Sequence, residues 1–351
     1  MSAWIDNIRK VEPYVPGEQP KDTNVIKLNT NENPYGPSPR AKEVMQNQEL
    51  LRLYPDPTAS DLVNALAEYH GVKPSQVFVG VGSDDVLAMS FLTFFNSDKP
   101  IVFPDITYSF YDVWAELFKI PYKRLPVDEN FRLVKEDYYK QNGGVVFPNP
   151  NAPTGIYEKL SNVEDIVSNN RDVIVIVDEA YIDFGGTSAL ELIDKYDNLV
   201  VVRTFSKSRS MAGLRIGYAI SNPVLIKALN DVKYSYNSYT MNRPSIIMGA
   251  ESVKDEEYFR STIQKVVNTR ERFVRAIKPL GFTCLPSSAN FVFATHESIP
   301  AKEIFSAAKA ANIYVRYFDK PRIDNYLRIS IGTDEEMDAF ISFLSDFVAS
   351  Y

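Results

Sequence analysis

Cysteine is nearly absent from this chain. Cys284 is the only one in 351 residues, so no internal disulfide framework exists and a reducing, cytoplasmic compartment fits. A lone thiol of this kind reads as a small core hydrophobe. Histidine is scarce as well. His70 and His296 stand far apart in no metal-ligating spacing, so no metal is expected. No apolar run is long enough to span a membrane. The stretch Met1 to Asn7 has no basic segment leading into an apolar one, so no secretory signal is expected. Basic excess is missing too: the formal net charge is −7, which argues against a nucleic-acid partner. Internal repeats and low-complexity tracts are not found. What is present is an ordinary globular composition, long enough for two modest domains with their own cores.

Residues 1–33 are rich in Pro and Asn and lack long periodicity, so they read as an arm with little structure of its own. From about Arg40, apolar runs of strand length alternate with amphipathic stretches. Val77–Val79, Ile101–Phe103, Val145–Phe147, Val173–Val177, Leu199–Val202 and Gly217–Ile220 are the strands. Strand–helix alternation implies an α/β fold, a largely parallel sheet flanked by helices. Asn222-Pro223 opens a helix through about Lys233, with Pro in its first turn. Asp255 to Pro279 reads as one long helix. Strands near Asn290–Phe293, Ile313–Tyr317 and Tyr326–Ile331, with helices near Ala301–Ala311 and Asp334–Phe347, form an α+β pattern and hence a smaller second domain. The division is an arm at 1–39 joining the small domain, a large domain at 40–250 and the small domain at 251–351.

Three segments carry chemistry. Thr204-Phe205-Ser206-Lys207 follows the apolar strand Leu199–Val202, and Arg215 stands eight residues beyond Lys207. An amine beside hydroxyls and a guanidinium can hold a phosphate-bearing aldehyde covalently. A Ser-Lys pair after a strand is also a common solvated loop. Val173–Val177 runs into Asp178-Glu179-Ala180-Tyr181. The carboxyl ends of such strands face the ligand crevice of an open sheet. There Asp178 can pair with a protonated ring nitrogen and Tyr181 with a phenolic oxygen, although an Asp in this place also caps turns. Val145–Phe147 runs into Pro148-Asn149-Pro150-Asn151-Ala152-Pro153-Thr154-Gly155, a loop whose prolines fix the backbone and whose amides can reach a ligand.

In order and spacing, the Asn149–Gly155, Asp178–Tyr181 and Ser206–Gly217 strings resemble the pyridoxal-phosphate aminotransferases of fold type I, over nearly the whole chain. Within them, Leu28–Gly36, Pro13-Tyr14-Val15-Pro16-Gly17, Arg52-Leu53-Tyr54-Pro55-Asp56, Tyr314-Val315-Arg316 and Leu327–Gly332 resemble the histidinol-phosphate aminotransferase subgroup. The resemblance implies a large domain with a mostly parallel seven-stranded sheet, a smaller α+β domain and pyridoxal 5′-phosphate as cofactor. It implies exchange of an amino group between L-histidinol phosphate and 2-oxoglutarate, giving imidazole acetol phosphate and L-glutamate, in histidine biosynthesis. An aromatic-amino-acid aminotransferase is the alternative, and a decarboxylase of a phosphorylated amino acid stands further off.

The resemblance also assigns roles. Lys207 holds the cofactor and moves the proton, Asp178 keeps the ring nitrogen protonated, and Tyr181 and Asn151 contact the ring hydroxyl. Tyr108 stacks on the ring; by its position alone it is equally a core tyrosine. Gly82, Ser83 and Asp84 join a strand to a helix amino terminus, where free N–H groups suit a phosphate. The acids there also serve as helix-start residues. Thr204, Ser206 and Arg215 complete the phosphate shell, and Tyr54 reaches the phosphate of a neighbouring subunit, which implies a homodimer with shared sites. Arg328 matches the cation for the carboxylate of glutamate. Tyr14, Asn33 and Arg316 match the groups at the polar end of histidinol phosphate. Arg322 reads as solvated surface and Glu32 as structural.

Overall fold

The computed structural model describes residues 9–15, 17–22, 24–44 and 51–351. The first eight residues of the arm and Pro16 of its Pro13–Gly17 run lie outside the described residues. The strands are β1 (Ile26–Lys27), β2 (Val77–Gly80), β3 (Ile101–Pro104), β4 (Tyr122–Leu125), β5 (Val145–Pro148), β6 (Val175–Asp178), β7 (Leu199–Thr204), β8 (Gly217–Ile220), β9 (Phe282–Cys284), β10 (Phe291–His296), β11 (Ile313–Tyr314), β12 (Arg316–Tyr317) and β13 (Leu327–Ser330).

Seven of them form one sheet in the order β2-β8-β7-β6-β5-β3-β4. Its inner strands β3, β5, β6 and β7 are buried residue by residue, as continuous Val/Ile runs require when helices cover both faces. Pairing is parallel from β4 through β7, whereas β8 runs antiparallel to both β7 and β2. Two apolar clusters pack on the two faces. One gathers Leu62, Leu66, Ile166 and Ile246, the other Leu87, Phe91, Trp114 and Leu229. Every parallel strand ends at the same edge. That edge collects Pro148, Asp178 and Thr204, the first residues of three of the sequence motifs.

A four-stranded sheet, β12-β13-β10-β9, carries a third cluster with Phe273, Phe291, Phe340 and Leu344. The long helix Glu256–Ile277 and the helix Asp334–Ser350 pack on it. The second of these starts with a Thr333/Glu336 capping box. The stretch Ile313–Tyr317 is not one strand. It breaks at Val315, so β11 pairs with β1 of the arm in parallel while β12 pairs with β13. The arm is thereby stitched to this sheet, with Leu28 in its core.

Candidate active site

The loop after β7 places Lys207 at the sheet's carboxyl edge. Its Nζ donates to Thr30 O (3.2 Å) and lies 5.7 Å from the centroid of the Tyr181 ring. The arm frames it from the other side. Asn33 Nδ2 donates to Lys207 O (3.1 Å) and Ser208 O (3.3 Å), and Asn31 Nδ2 donates to Tyr181 Oη (3.0 Å). Asn33 Oδ1 accepts from Tyr35 N, so the polar atoms of Asn33 brace the lysine loop.

Asp178 closes β6 and is buried. Its Oδ1 accepts from Ala180 N (3.2 Å) and its Oδ2 from Tyr111 Oη (3.0 Å). Among the described residues it has no cation within 4.0 Å. Burial pushes its pKa up to about 7, against the lowering effect of those two donors. A buried carboxylate with lone pairs to spare and no counter-charge fits a protonated ring nitrogen.

Arg215 defines the anion end. Its Nη2 bonds Asp84 Oδ2 (3.0 Å) and its Nη1 reaches Ser206 Oγ (3.4 Å). Its backbone is left-handed (φ 51°), a conformation that side-chain-bearing residues adopt at a cost. A Cβ on Gly82, itself at φ 87°, would stand 2.5 Å from Arg215 Nη2, so glycine there admits the guanidinium. Gly217 allows β8 to pass against the Gly82–Ser83 backbone in the same way. The helix Ser83–Phe94 begins at this point, and its first N–H groups have no carbonyl partner one turn back. Thr204 Oγ1 donates to Ile216 O (3.3 Å) and accepts from Ser206 N (3.1 Å). Tyr108 Oη donates to Asp84 Oδ1 (2.8 Å), which ties Tyr108 to the anion end. Burial and Asp84 hold the Tyr108 phenol well above its usual pKa, so it stays neutral. A cradle, a guanidinium, hydroxyls and a helix amino terminus together fit a phosphate.

Asn151 is buried between the two ends. Its Nδ2 donates to Ile106 O (3.0 Å) and Thr154 Oγ1 (3.1 Å), and its Oδ1 accepts from Thr107 Oγ1 (3.2 Å).

Arg316 and Arg328 stand opposite each other in the β12–β13 register. Arg328 Nη2 donates to Asn29 O (3.0 Å), while its buried Nε has no partner. Desolvation, then Arg316, lowers its pKa, and the phenols of Tyr181, Tyr14 and Tyr108 are among its electrostatic neighbours. Among the described residues neither arginine has a carboxylate within 4.0 Å. Tyr14 of the arm stacks on Phe110 (4.1 Å between centroids) and approaches Tyr108 (6.5 Å). Residues more than 300 positions apart thus meet at one mouth.

Tyr54 is not part of this gathering. It is 80% exposed, and its contacts are the Tyr239 ring (4.8 Å) and Arg243, which donates to its carbonyl. Arg322 is not plain surface: it donates to Val127 O (3.1 Å) and Asp128 O (2.6 Å) and lies over Phe131.

Two features escaped the sequence reading. One is Tyr111, whose signal was its place three residues after Tyr108, in the first turn of the helix Phe110–Phe118. The other is a buried network behind the lysine loop. Arg203 pairs with Glu179 (3.3 Å) and Asp183 (3.0 Å), and Ser208 donates to Asp183 (2.5 Å).

A sequence profile described as aminotransferase class I and II matches residues 23–344. A protein of Clostridium beijerinckii named histidinol-phosphate aminotransferase is 50% identical over 340 residues, 96% of this chain and 95% of its own. One of the same name from Pseudomonas putida is 51% identical over 344 residues, 97% of this chain and 99% of its own. The crystal structure of histidinol-phosphate aminotransferase from Sinorhizobium meliloti in complex with pyridoxal-5′-phosphate is similar at 25% identity. It has a TM-score of 0.84 and covers 93% of this chain and 91% of its own.

Proposed function

This chain belongs to the class I and II aminotransferases, and from that premise we propose that it moves the amino group of L-histidinol phosphate to 2-oxoglutarate in histidine biosynthesis. Its fold is that of the fold type I enzymes, and its cofactor is pyridoxal 5′-phosphate. The observation that carries the substrate is the facing pair Arg316 and Arg328, two cations beside Tyr14 with no carboxylate within 4.0 Å among the described residues. One anionic substrate carries a phosphate and the other two carboxylates, and both need such donors.

Bound there, the cofactor supplies the electron sink for the carbon that gives up its amino group. Lys207 would hold it, and the freed Nζ takes the proton from the substrate's amino-bearing carbon. Asp178 would hold the proton on the ring nitrogen. Tyr181 and Asn151 would bind the ring hydroxyl, and Tyr108 would cover the ring. Arg215, Thr204, Ser206 and the Gly82–Asp84 backbone would bind the phosphate, with Asp84 releasing Arg215 to it. Arg328 takes the carboxylate of glutamate. Tyr14 and Arg316 take the phosphate of histidinol phosphate, and Asn33 keeps the arm against the lysine loop.

We also divide the chain into the arm, 1–39, and domains at 40–250 and 251–351; the β1–β11 pairing supports joining the arm to the smaller one. We place the enzyme in the cytoplasm as a homodimer. The exposed Leu51, Leu53, Tyr54 and Tyr239 suit a subunit contact, through which Tyr54 reaches the partner's phosphate site.

A second reading, an aromatic-amino-acid aminotransferase, draws support from the Tyr14–Phe110 stack. The two separate on Tyr14→Phe. Losing one donor to a phosphate weakens kcat/KM for histidinol phosphate by about ten- to a hundredfold and leaves phenylalanine nearly unchanged. Equal losses on both donors favour the aromatic reading.

A further inference from the structure

Asp178 has two oxygens, and each receives one protein donor: Ala180 N at Oδ1 and Tyr111 Oη at Oδ2. A carboxylate offers about four lone-pair positions, so room remains for another donor. What decides the direction of that remaining capacity is the side chain that cannot move. Ala180 N belongs to the strand's own turn and would accept several orientations of the carboxylate. Tyr111 is fully buried, and its ring is walled in by Phe91 (6.1 Å), Phe103 (5.8 Å), Tyr108 (5.8 Å) and Trp114 (6.2 Å). Asp178 is its hydroxyl's only hydrogen-bond partner among the described residues.

We propose that Tyr111 is a positioning residue for the cofactor's ring nitrogen: its hydroxyl locks Asp178 in one orientation toward it. The proposal rests on the cofactor assignment above and adds a residue that acts only through Asp178. Two further observations support it. Burial and the Asp178 charge push the Tyr111 phenol well above its ordinary pKa, so it remains a donor and never a competing anion. The ring-covering Tyr108 sits just before the helix Phe110–Phe118, in whose first turn Tyr111 lies. A short stretch of chain therefore sets the face of the cofactor ring, through Tyr108 held by Asp84, and its nitrogen end, through Tyr111 and Asp178. Without the hydroxyl, Asp178 would lose a charge-assisted bond, turn more freely and hold its proton more tightly. A protonated carboxyl no longer forms an ion pair with a pyridinium.

The test compares two probes on protein stripped of cofactor: pyridoxal 5′-phosphate, and its 1-deaza analogue, in which C–H replaces the ring nitrogen. Affinity is read by quenching of protein fluorescence. Tyr111→Phe is expected to weaken the first probe by about tenfold, the size of one hydrogen bond to a charged group, and to leave the second within about twofold. A merely structural role would weaken both equally, and that result overturns the proposal. A wild type with no preference for the nitrogen ring would sink the cofactor assignment of Asp178 itself, whereas a full preference surviving in Tyr111→Phe sinks only the role of Tyr111.

Discussion

Asp178→Asn should stabilise the cofactor-stripped protein at pH 8 while damaging the enzyme. Asp178 is raised from 3.8 to about 7, chiefly by burial and further by the nearby charges of Asp84 and Glu179, against the lowering donors Tyr111 and Ala180. A native-state pKa above the unfolded one means that the folded protein binds the extra proton. Stability from this group is therefore present below about pH 4 and is lost as pH rises through 7. The gap of about 3 units amounts to roughly 4 kcal/mol of penalty once the group is ionised at pH 8. Asparagine removes that penalty. It keeps an acceptor for Tyr111 but brings an amide N–H₂ without an evident partner, at about 1–3 kcal/mol. The net gain is about 1–3 kcal/mol at pH 8, shrinking to nothing or reversing by pH 5, where about 1.6 kcal/mol of penalty remains. The assay is denaturant unfolding of stripped wild type and variant at both pH values, followed by cofactor addition. Added cofactor should stabilise the wild type more than the variant, because only the wild type offers a carboxylate to the ring nitrogen. A variant less stable than wild type by the same amount at both pH values would refute the picture of Asp178 as an unpaired, desolvated charge.

Borohydride reduction of the cofactor-loaded enzyme should fix the cofactor on Lys207, as peptide mapping reads it; a label on another lysine contradicts the assignment. Tyr54→Phe should lower kcat/KM by about ten- to a hundredfold, as expected for one lost bond to a phosphate. Heterodimers of Tyr54→Phe and Lys207→Ala chains should regain activity, since one site then has both its lysine and the partner's tyrosine; verified heterodimers without recovery speak against sharing.

The parts of the site that stood out in the sequence are those that sit where strands end. Lys207, Asp178 and Asn151 follow buried Val-rich runs directly, so a local string carried both the strand and the ligand edge. Arg215 was visible through its spacing, but its left-handed backbone and its dependence on Gly82 are properties of two segments meeting in space. Tyr111 was hidden because a buried tyrosine on an apolar helix face looks like core, and it is core on every side but its hydroxyl. The helix Arg243–Lys254 went unread for another reason. Its buried face mixes Ile246, Ala250 and Val253 with Ser245, Gly249 and Ser252, so small and polar residues dilute the apolar stripe, although Asn242 caps its start and Pro244 lies in its first turn. The antiparallel course of β8 and the break at Val315 were equally invisible, since direction and pairing belong to the partner strands.

The central claim is that this aminotransferase is built for a phosphate-bearing amino donor. The most direct measurement is kcat/KM of the wild-type enzyme for histidinol phosphate and for phenylalanine, tyrosine and phosphothreonine, with 2-oxoglutarate as acceptor. The account predicts that histidinol phosphate is preferred over the aromatic amino acids by at least about tenfold, the worth of one charge-assisted bond, and that glutamate accumulates one for one with the keto product. A higher kcat/KM for phenylalanine, or release of carbon dioxide from phosphothreonine without glutamate formation, would contradict it.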